Sequence, residues 1–137
     1  MASHQLSLAL ISHKVQDSVI EQRAEDGYIN ATAMCKAAGK RFNHYYDNGG
    51  NKAFIQELSS DTGIPASELV QIIKGGDPSL QGTWVHPQVS THLAQWLSPK
   101  FAVQVSKWIQ EWLSGKHAPT KLPYHLERHM LNFQDTD

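Results

Sequence analysis

The sequence predicts an α+β fold in which a helix-turn-helix carries a β-hairpin wing, with another hairpin before it and a packed helix pair after it. Two observations support this prediction. A helix, a glycine break, a second helix and a glycine-flanked hairpin follow one another over residues 31–85, which is the order of a winged-helix-like module. Two amphipathic segments then follow, and each opens at a proline. At 137 residues and 40% hydrophobic composition, the chain fits one domain with its own core.

The N-terminal part of the chain predicts a β-hairpin. Its strands are expected over Leu6–Ile11 and Ser18–Arg23, where β-tolerant residues cluster, with a polar connection around Val15–Asp17. Glu25-Asp26-Gly27 is a turn signal, and Tyr28-Ile29 is expected to form a brief strand or an entry segment.

A first helix is expected over Ala31–Ala38. Asn30 offers a side-chain oxygen as its N-cap, and Gly39 suits the left-handed residue that ends a helix. Lys36 and Lys40 fall away from its apolar face and are predicted to be exposed. That apolar face is formed by four residues at helical spacing, Ala31, Met34, Cys35 and Ala38.

A second helix is expected after a short break. Lys40–Asp47 is predicted to be a connection or a single helical turn, and Asn48-Gly49-Gly50 interrupts the chain. Asn51 is expected to cap a helix that runs through Ser60. This helix should bury three apolar residues, Phe54, Ile55 and Leu58. Its solvent side should carry Asn51, Lys52 and Gln56.

The wing is expected as a hairpin with strands over Leu69–Lys74 and Thr83–Val85. Glycines flank its long tip, over residues 75–82, so backbone amides there can approach a phosphate closely.

A helix pair should close the domain. Pro87 suits the first position of a helix running to Leu97, and Ser98 caps a second helix, which begins at Pro99 and stops at Gly115. Residues 1–114 are therefore predicted to form one domain, and residues 115–137 a polar tail in which Leu122–Phe133 could form an accessory helix. The four tryptophans are expected in the core: Trp84, Trp96, Trp108 and Trp112.

The distribution of charge points to a phosphate-binding surface. The net charge is only −1, but residues 27–56 carry four basic residues against Asp47 alone, a local sum of +3. Lysine and arginine bind phosphates, and amide and hydroxyl side chains add hydrogen bonds to phosphates or base edges. Nine residues are therefore the candidate DNA contacts: Lys36, Lys40, Arg41, Asn43, Tyr46, Asn51, Lys52, Lys74 and Gln81.

Other chemistries find little support. Cys35 is the one cysteine, which excludes a disulfide within the chain, and it is expected to be buried. The best metal-ligand candidates, His44, Asp47, His86 and His92, have no tight ligand spacing. We therefore expect no metal, no cofactor and no enzymatic activity. Neither a secretory signal nor a membrane span is predicted.

Several motifs, in order, resemble one family. The run from Gly27 to Cys35, GYINATAMC, looks like the opening signature of the KilA-N domain of bacteriophages and large DNA viruses. The runs QGTWVHP, from Gln81 to Pro87, and LAQWLSPKFA, from Leu93 to Ala102, are similar to its second half. The pieces INAT, from Ile29 to Thr32, and QGTWV, from Gln81 to Val85, also resemble the APSES domain of fungal transcription factors.

The resemblance covers about residues 20–114 and implies a winged-helix-like module that binds double-stranded DNA. It implies that Lys40, Arg41 and Lys52 belong to the basic helix pair, and that Lys74 and Gln81 belong to the wing. The chain departs from the expected pattern before its second helix, where Gly49-Gly50-Asn51 replaces a serine or threonine.

The function expected from these observations is sequence-preferring DNA binding by a phage or prophage regulator in the bacterial cytoplasm. Two alternatives from other classes stay open. One is an antirepressor-like interaction module whose partner is a repressor or another protein, and the other is a metal-dependent nuclease. A homodimer is also compatible with a protein of this size and charge.

Overall fold

The protein is described by a computed structural model that covers residues 9–116 and 120–121. The strands are β1 (Leu10–Val15), β2 (Ser18–Arg23), β3 (Ile29–Asn30), β4 (Val70–Ile73), β5 (Gly82–Val85) and β6 (Thr120–Lys121). The helices are α1 (Ala31–Ala37), α2 (Phe42–Tyr46), α3 (Gly49–Thr62), α4 (Ala66–Leu69), α5 (Pro87–Leu97) and α6 (Pro99–Ser114). A 3-10 turn spans Pro78–Leu80. The predicted α+β class is confirmed.

All the strands join one antiparallel sheet in the order β4-β5-β3-β2-β1-β6. The short strand β3 connects the two hairpins because it pairs with β2 through Ile29 and with β5 through Ile29 and Asn30. The second hairpin, β4 and β5, was predicted nearly as observed, and its register places Ile72 opposite Thr83. The sheet therefore fixes this hairpin rigidly next to α1, which follows β3 directly.

The first strand of the N-terminal hairpin extends beyond its predicted end at Ile11, and its predicted start at Leu6 lies outside the described residues. The strand spans Leu10–Val15, and the polar connection expected around Val15–Asp17 is a tight turn at Gln16 and Asp17. His13 enters the strand because its polarity is satisfied inside the fold. The His13 ring stacks on Trp108 at 4.2 Å between centroids, and its Nε2 is 2.7 Å from Gln22 Oε1.

The helices pack on one face of the sheet around a single main core. Its fully buried members come from three strands, β2, β3 and β5, and from five helices, α1, α2, α4, α5 and α6, and they include Ile20, Ile29, Val85, Met34, Tyr45, Leu69, Leu93 and Val105. The predicted α5–α6 pair is confirmed, with Pro87 and Pro99 at the helix starts. Ser98 Oγ accepts a hydrogen bond from Phe101 N–H at 3.1 Å, as a capping residue does.

The tryptophans divide into two groups. Trp84 and Trp108 are buried as predicted, whereas Trp96 and Trp112 are half-buried at the margin of the core. Trp112 ties α6 to the turn after β2, because its Nε1–H donates to the Ala24 carbonyl at 2.8 Å. The α6 helix therefore closes the fold against the N-terminal hairpin.

The start of the second helix also differs from the prediction. Asn48, not Asn51, caps α3, because its side-chain oxygen accepts hydrogen bonds from the N–H groups of Gly50 and Asn51. The two glycines thus form the first turn of α3 instead of breaking the chain. The helix then runs to Thr62 and ends at Gly63, two residues later than predicted.

The described part of the chain holds no helix long and apolar enough to cross a membrane. In the tail, Thr120 and Lys121 pair with Ile11 and Leu10, a strand that was not predicted. The accessory helix expected over Leu122–Phe133 lies outside the described residues.

Candidate nucleic-acid interface

The cations predicted near the first helix lie together around one open hollow. Lys36 extends from α1, and Lys40 and Arg41 lie in the connection to α2, all with exposed side chains. The hollow has a volume of about 470 Å³. We call it the basic hollow, and its lining consists of Thr32, Cys35, Lys36, Gly39, Lys40, Arg41 and Phe42. Three like charges around one concavity create a positive local potential that attracts phosphate.

No described carboxylate neutralises these charges. Within the described ranges, the salt bridge is that between Arg23 and Asp26, at 2.8 Å, and neither residue lines the hollow. Lys40 instead makes a cation–π contact, with its Nζ 4.7 Å from the centroid of the Trp96 ring. The contact positions this side chain without cancelling its charge, so the three cations are available to an anionic ligand.

A second concavity adjoins the basic hollow, and we call it the helix–hairpin groove. It lies between α2 and the second hairpin and has a volume of about 520 Å³. Its lining is Phe42, Asn43, Tyr46, Ser67, Val70, Ile72 and Thr83. Phe42 belongs to both concavities, and Thr83 N–H donates to Thr32 Oγ1 at 3.0 Å, which ties the two linings together. A charged surface therefore continues into one with polar and apolar side chains.

The short helix α2 stands between the two concavities and depends on tertiary contacts for its position. Five residues are too few for a helix that is stable alone. Tyr45 anchors it, because this side chain is fully buried and its hydroxyl lies 2.8 Å from His92 Nδ1 on α5. The His92 ring also stacks on Phe54 of α3 at 3.9 Å. The buried anchor leaves Asn43 and Tyr46 on the groove side of α2.

One predicted contact residue is not available to a ligand. Asn51 is only 8% exposed, and its Nδ2–H donates to the Tyr45 carbonyl at 2.9 Å. The prediction that it lies on the solvent side of α3 is wrong, because Asn51 lies in the first turn of α3 and faces the end of α2. Asn51 instead satisfies a carbonyl at the end of α2 and holds the two helices together.

The remaining predicted residues are exposed but line neither concavity. Lys52 lies in the first turn of α3, and Lys74 opens the loop between β4 and β5. Gln81 is at the other end of that loop, where its Nε2–H donates to the Gly76 carbonyl at 3.1 Å. This contact gives Gln81 a role in shaping the loop. The structure thus brings together Lys36, Lys40, Arg41, Asn43 and Tyr46.

Several lining residues were not among the candidate contacts predicted from the sequence, and they include Thr32, Ile72 and Thr83. The Thr32 hydroxyl links α1 to β5 because it accepts a hydrogen bond from Thr83 N–H. Ile72 and Thr83 were assigned only to strands, although their pairing in the register places both side chains at the groove. The hairpin itself was predictable. Its position beside α2 depends on β3, whose pairing has no local signal.

Burial shifts the pKa values of two titratable groups near the interface. Burial raises the pKa of the Cys35 thiol to about 11, and nearby Lys40 only partly offsets this effect. The predicted burial of Cys35 is confirmed at 1% exposure. Burial also lowers the pKa of His92, so its imidazole is neutral at pH 7. Among the described residues, no three histidine, cysteine or acidic side chains are grouped closely enough to hold a metal ion.

Comparison with known proteins agrees with the motifs. A KilA-N domain-containing protein of Acanthamoeba polyphaga mimivirus is 39% identical over 94 residues, which cover 64% of this chain and 26% of that protein. Another from the same virus is 40% identical over 104 residues, covering 75% of this chain and 28% of that protein. An uncharacterized fowlpox virus protein is 24% identical over 117 residues, covering 81% of this chain and 74% of its own. No solved structure matches the chain significantly.

The mimivirus relatives are much longer than the matched region, since the chain spans only about a quarter of their length. The relatives named above come from large DNA viruses, so the expected bacteriophage origin and bacterial host stay predictions. The KilA-N domain model matches residues 12–115, which include most of β1 and every element from β2 to α6. The chain therefore belongs to the KilA-N domain family.

Proposed function

We propose that this protein binds double-stranded DNA with a sequence preference and acts as a regulator without catalysis. The observation that carries the proposal is the grouping of Lys36, Lys40 and Arg41, which form no ion pair with a described carboxylate, around one hollow that continues into a groove with polar and apolar side chains. In this proposal the second hairpin serves as the wing of a winged-helix-like module, and α2 with the start of α3 serves as its helix pair.

Each part of the surface has its own task in the proposed complex. Lys36, Lys40 and Arg41 neutralise backbone phosphates, and Lys52 and Lys74 add contacts at the two ends of the footprint. Asn43 and Tyr46 lie in the groove, where an amide and a phenol group can form hydrogen bonds with base edges. Gln81 supports the loop of the wing through Gly76 and presents its remaining polar groups to the backbone.

The charge distribution supports one binding orientation. Residues 27–56 carry a net +3, while the whole chain carries −1, so the rest of the protein is net negative. A phosphate backbone is attracted to the basic hollow and repelled by the remaining surface. Such a distribution limits non-specific association, and it leaves sequence-dependent contacts in the groove to select a site.

Fluorescence anisotropy with short duplexes tests the proposal. Purified protein is titrated at low salt into a random duplex pool and into the duplex recovered by repeated selection from that pool. We expect binding to both, with the selected duplex bound more tightly. If no duplex is bound at micromolar protein, DNA binding is contradicted and the antirepressor-like interaction with another protein becomes the favoured function. Cleavage products on addition of Mg²⁺ would contradict the non-catalytic role.

A further inference from the structure

An isoleucine is left uncovered in the helix–hairpin groove. Ile72 is 65% exposed, although it lies in a regular strand of the sheet. Its neighbour Ile73 points to the other face of the sheet and packs with the buried cluster of Leu10, Tyr28 and Trp84. The two adjacent isoleucines therefore have different environments: neighbouring side chains cover Ile73, whereas most of Ile72 is exposed to solvent.

Strand propensity does not require an isoleucine at this position. Its cross-strand partner is Thr83, and threonine has similar β-branched geometry with a polar group for the solvent. Because Ile72 lies exposed in a concavity that also has hydrogen-bonding groups, the groove suits a ligand with an apolar group beside polar ones. The groove has one apolar side, formed by Val70 and Ile72, while Asn43 on α2 and Thr83 on β5 provide hydrogen-bonding groups.

The neighbouring basic hollow indicates what that ligand is. Because Phe42 lines both concavities and Thr32 is bonded to Thr83, a duplex whose phosphates occupy the basic hollow brings its base edges to the groove. In the major groove of DNA, the one apolar group on a base edge is the 5-methyl group of thymine. An amide such as that of Asn43 can at the same time bond the adenine edge.

We propose that Ile72 is a specificity-determining residue that contacts a thymine methyl group in the bound DNA. The inference rests on the proposed function, since it names the feature of the duplex that this surface recognises. It assigns to β4, and not only to α2, a part in reading the sequence. Replacing the methyl by hydrogen should reduce affinity about fourfold, which is about 0.8 kcal/mol for one buried methyl group.

The test is a thymine-to-deoxyuridine scan of the duplex that the protein selects from a random pool. Deoxyuridine lacks only the methyl group, so the scan removes the proposed contact and retains base pairing. For the wild-type protein, we expect about a fourfold loss at one or two positions and no change at the others. Ile72→Ser should bind the two forms of the duplex equally, because serine carries no methyl group that could contact the thymine. Val103→Ser, at another exposed apolar residue outside both concavities, should keep the wild-type pattern.

Three outcomes overturn the inference. The first is equal binding of thymine and deoxyuridine duplexes by the wild-type protein, and the second is a methyl effect that persists in Ile72→Ser with an unchanged thermal melt. The third is a selected site without thymine. In these cases duplex binding itself is intact, so only the role of Ile72 fails. If the wild-type protein binds no duplex at all, both this inference and the proposed function fail.

Discussion

Removing two charges from the basic hollow should change how DNA binding responds to salt. The variant is Lys40→Ala combined with Arg41→Ala. Both side chains are exposed and line the same hollow, and neither forms an ion pair with a described carboxylate. Lys40 loses its contact with Trp96, which costs about 0.5–1 kcal/mol, a small part of the 5–15 kcal/mol typical of a domain. The variant should therefore stay folded.

The size of the salt effect follows from counterion release. Each neutralised phosphate adds about −0.9 to the slope of log K against log salt. With roughly four to five phosphate contacts from the five exposed cations of the surface, the wild-type slope is about −4, and removing two contacts brings it to about −2. Between 50 and 200 mM salt, the wild-type affinity should then fall by about 250-fold, and that of the variant by about 20-fold.

Fluorescence anisotropy over that salt range measures both slopes. The matched control is Lys100→Ala with Lys107→Ala, which removes two exposed charges from α6, away from both concavities. The control should keep a slope near −4. An unchanged slope in the Lys40 and Arg41 variant would remove this pair from the interface. An equal loss in the control would mean that total charge, and not the basic hollow, governs binding.

Three further predictions concern stability and the support of the interface. Gly27→Ala places a Cβ 2.8 Å from the Trp112 ring at a φ of +77°, so we expect urea unfolding to show a free energy of unfolding lower by about 2–5 kcal/mol. The control Gly63→Ala, at a φ of +76° with open space around it, should lower it by about 1–2 kcal/mol. Equal losses in the two variants would show that the Trp112 ring moves aside at no cost. Burial lowers the pKa of His92 below its ordinary 6.5, so the folded state resists protonation, and stability should fall as the pH drops from 7 to 5. Thermal melts should show a shallower pH dependence for His92→Gln, and an identical one would exclude this histidine as a cause. Asn51→Ala should lower the free energy of unfolding by about 1–3 kcal/mol and leave the salt slope unchanged, and a flattened slope would return Asn51 to the interface.

The elements with strong local signals were predictable from the sequence. The α5–α6 pair was predicted with its observed starts because Pro87, Ser98 and Pro99 determine where each helix begins through short-range chemistry. Asn30 likewise caps α1 as expected, with its side-chain oxygen 3.1 Å from Ala33 N–H. Such caps need no information from the rest of the chain.

The wrong predictions concern positions whose conformation depends on residues that are distant in the sequence. The strand β1 continues through His13 because Trp108 and Gln22 enclose its ring, and both lie far along the chain or across the hairpin. Asn48 and Asn51 are equally good caps by residue type, and the burial of Asn51 against Tyr45 decides between them. The groove could not be predicted for the same reason, since only the packing of the sheet against α2 brings Ile72 and Asn43 to one concavity.

The most direct test of the account is a titration of ¹⁵N-labelled protein with its selected duplex, followed by two-dimensional NMR of the backbone amides. If the basic hollow and the helix–hairpin groove bind DNA, the largest shifts should fall within residues 32–46 and 70–83 and saturate together. Residues 103–114, on the far helix α6, should change little. Dominant shifts on α6, or a spectrum that duplex DNA does not change, would contradict the central claim.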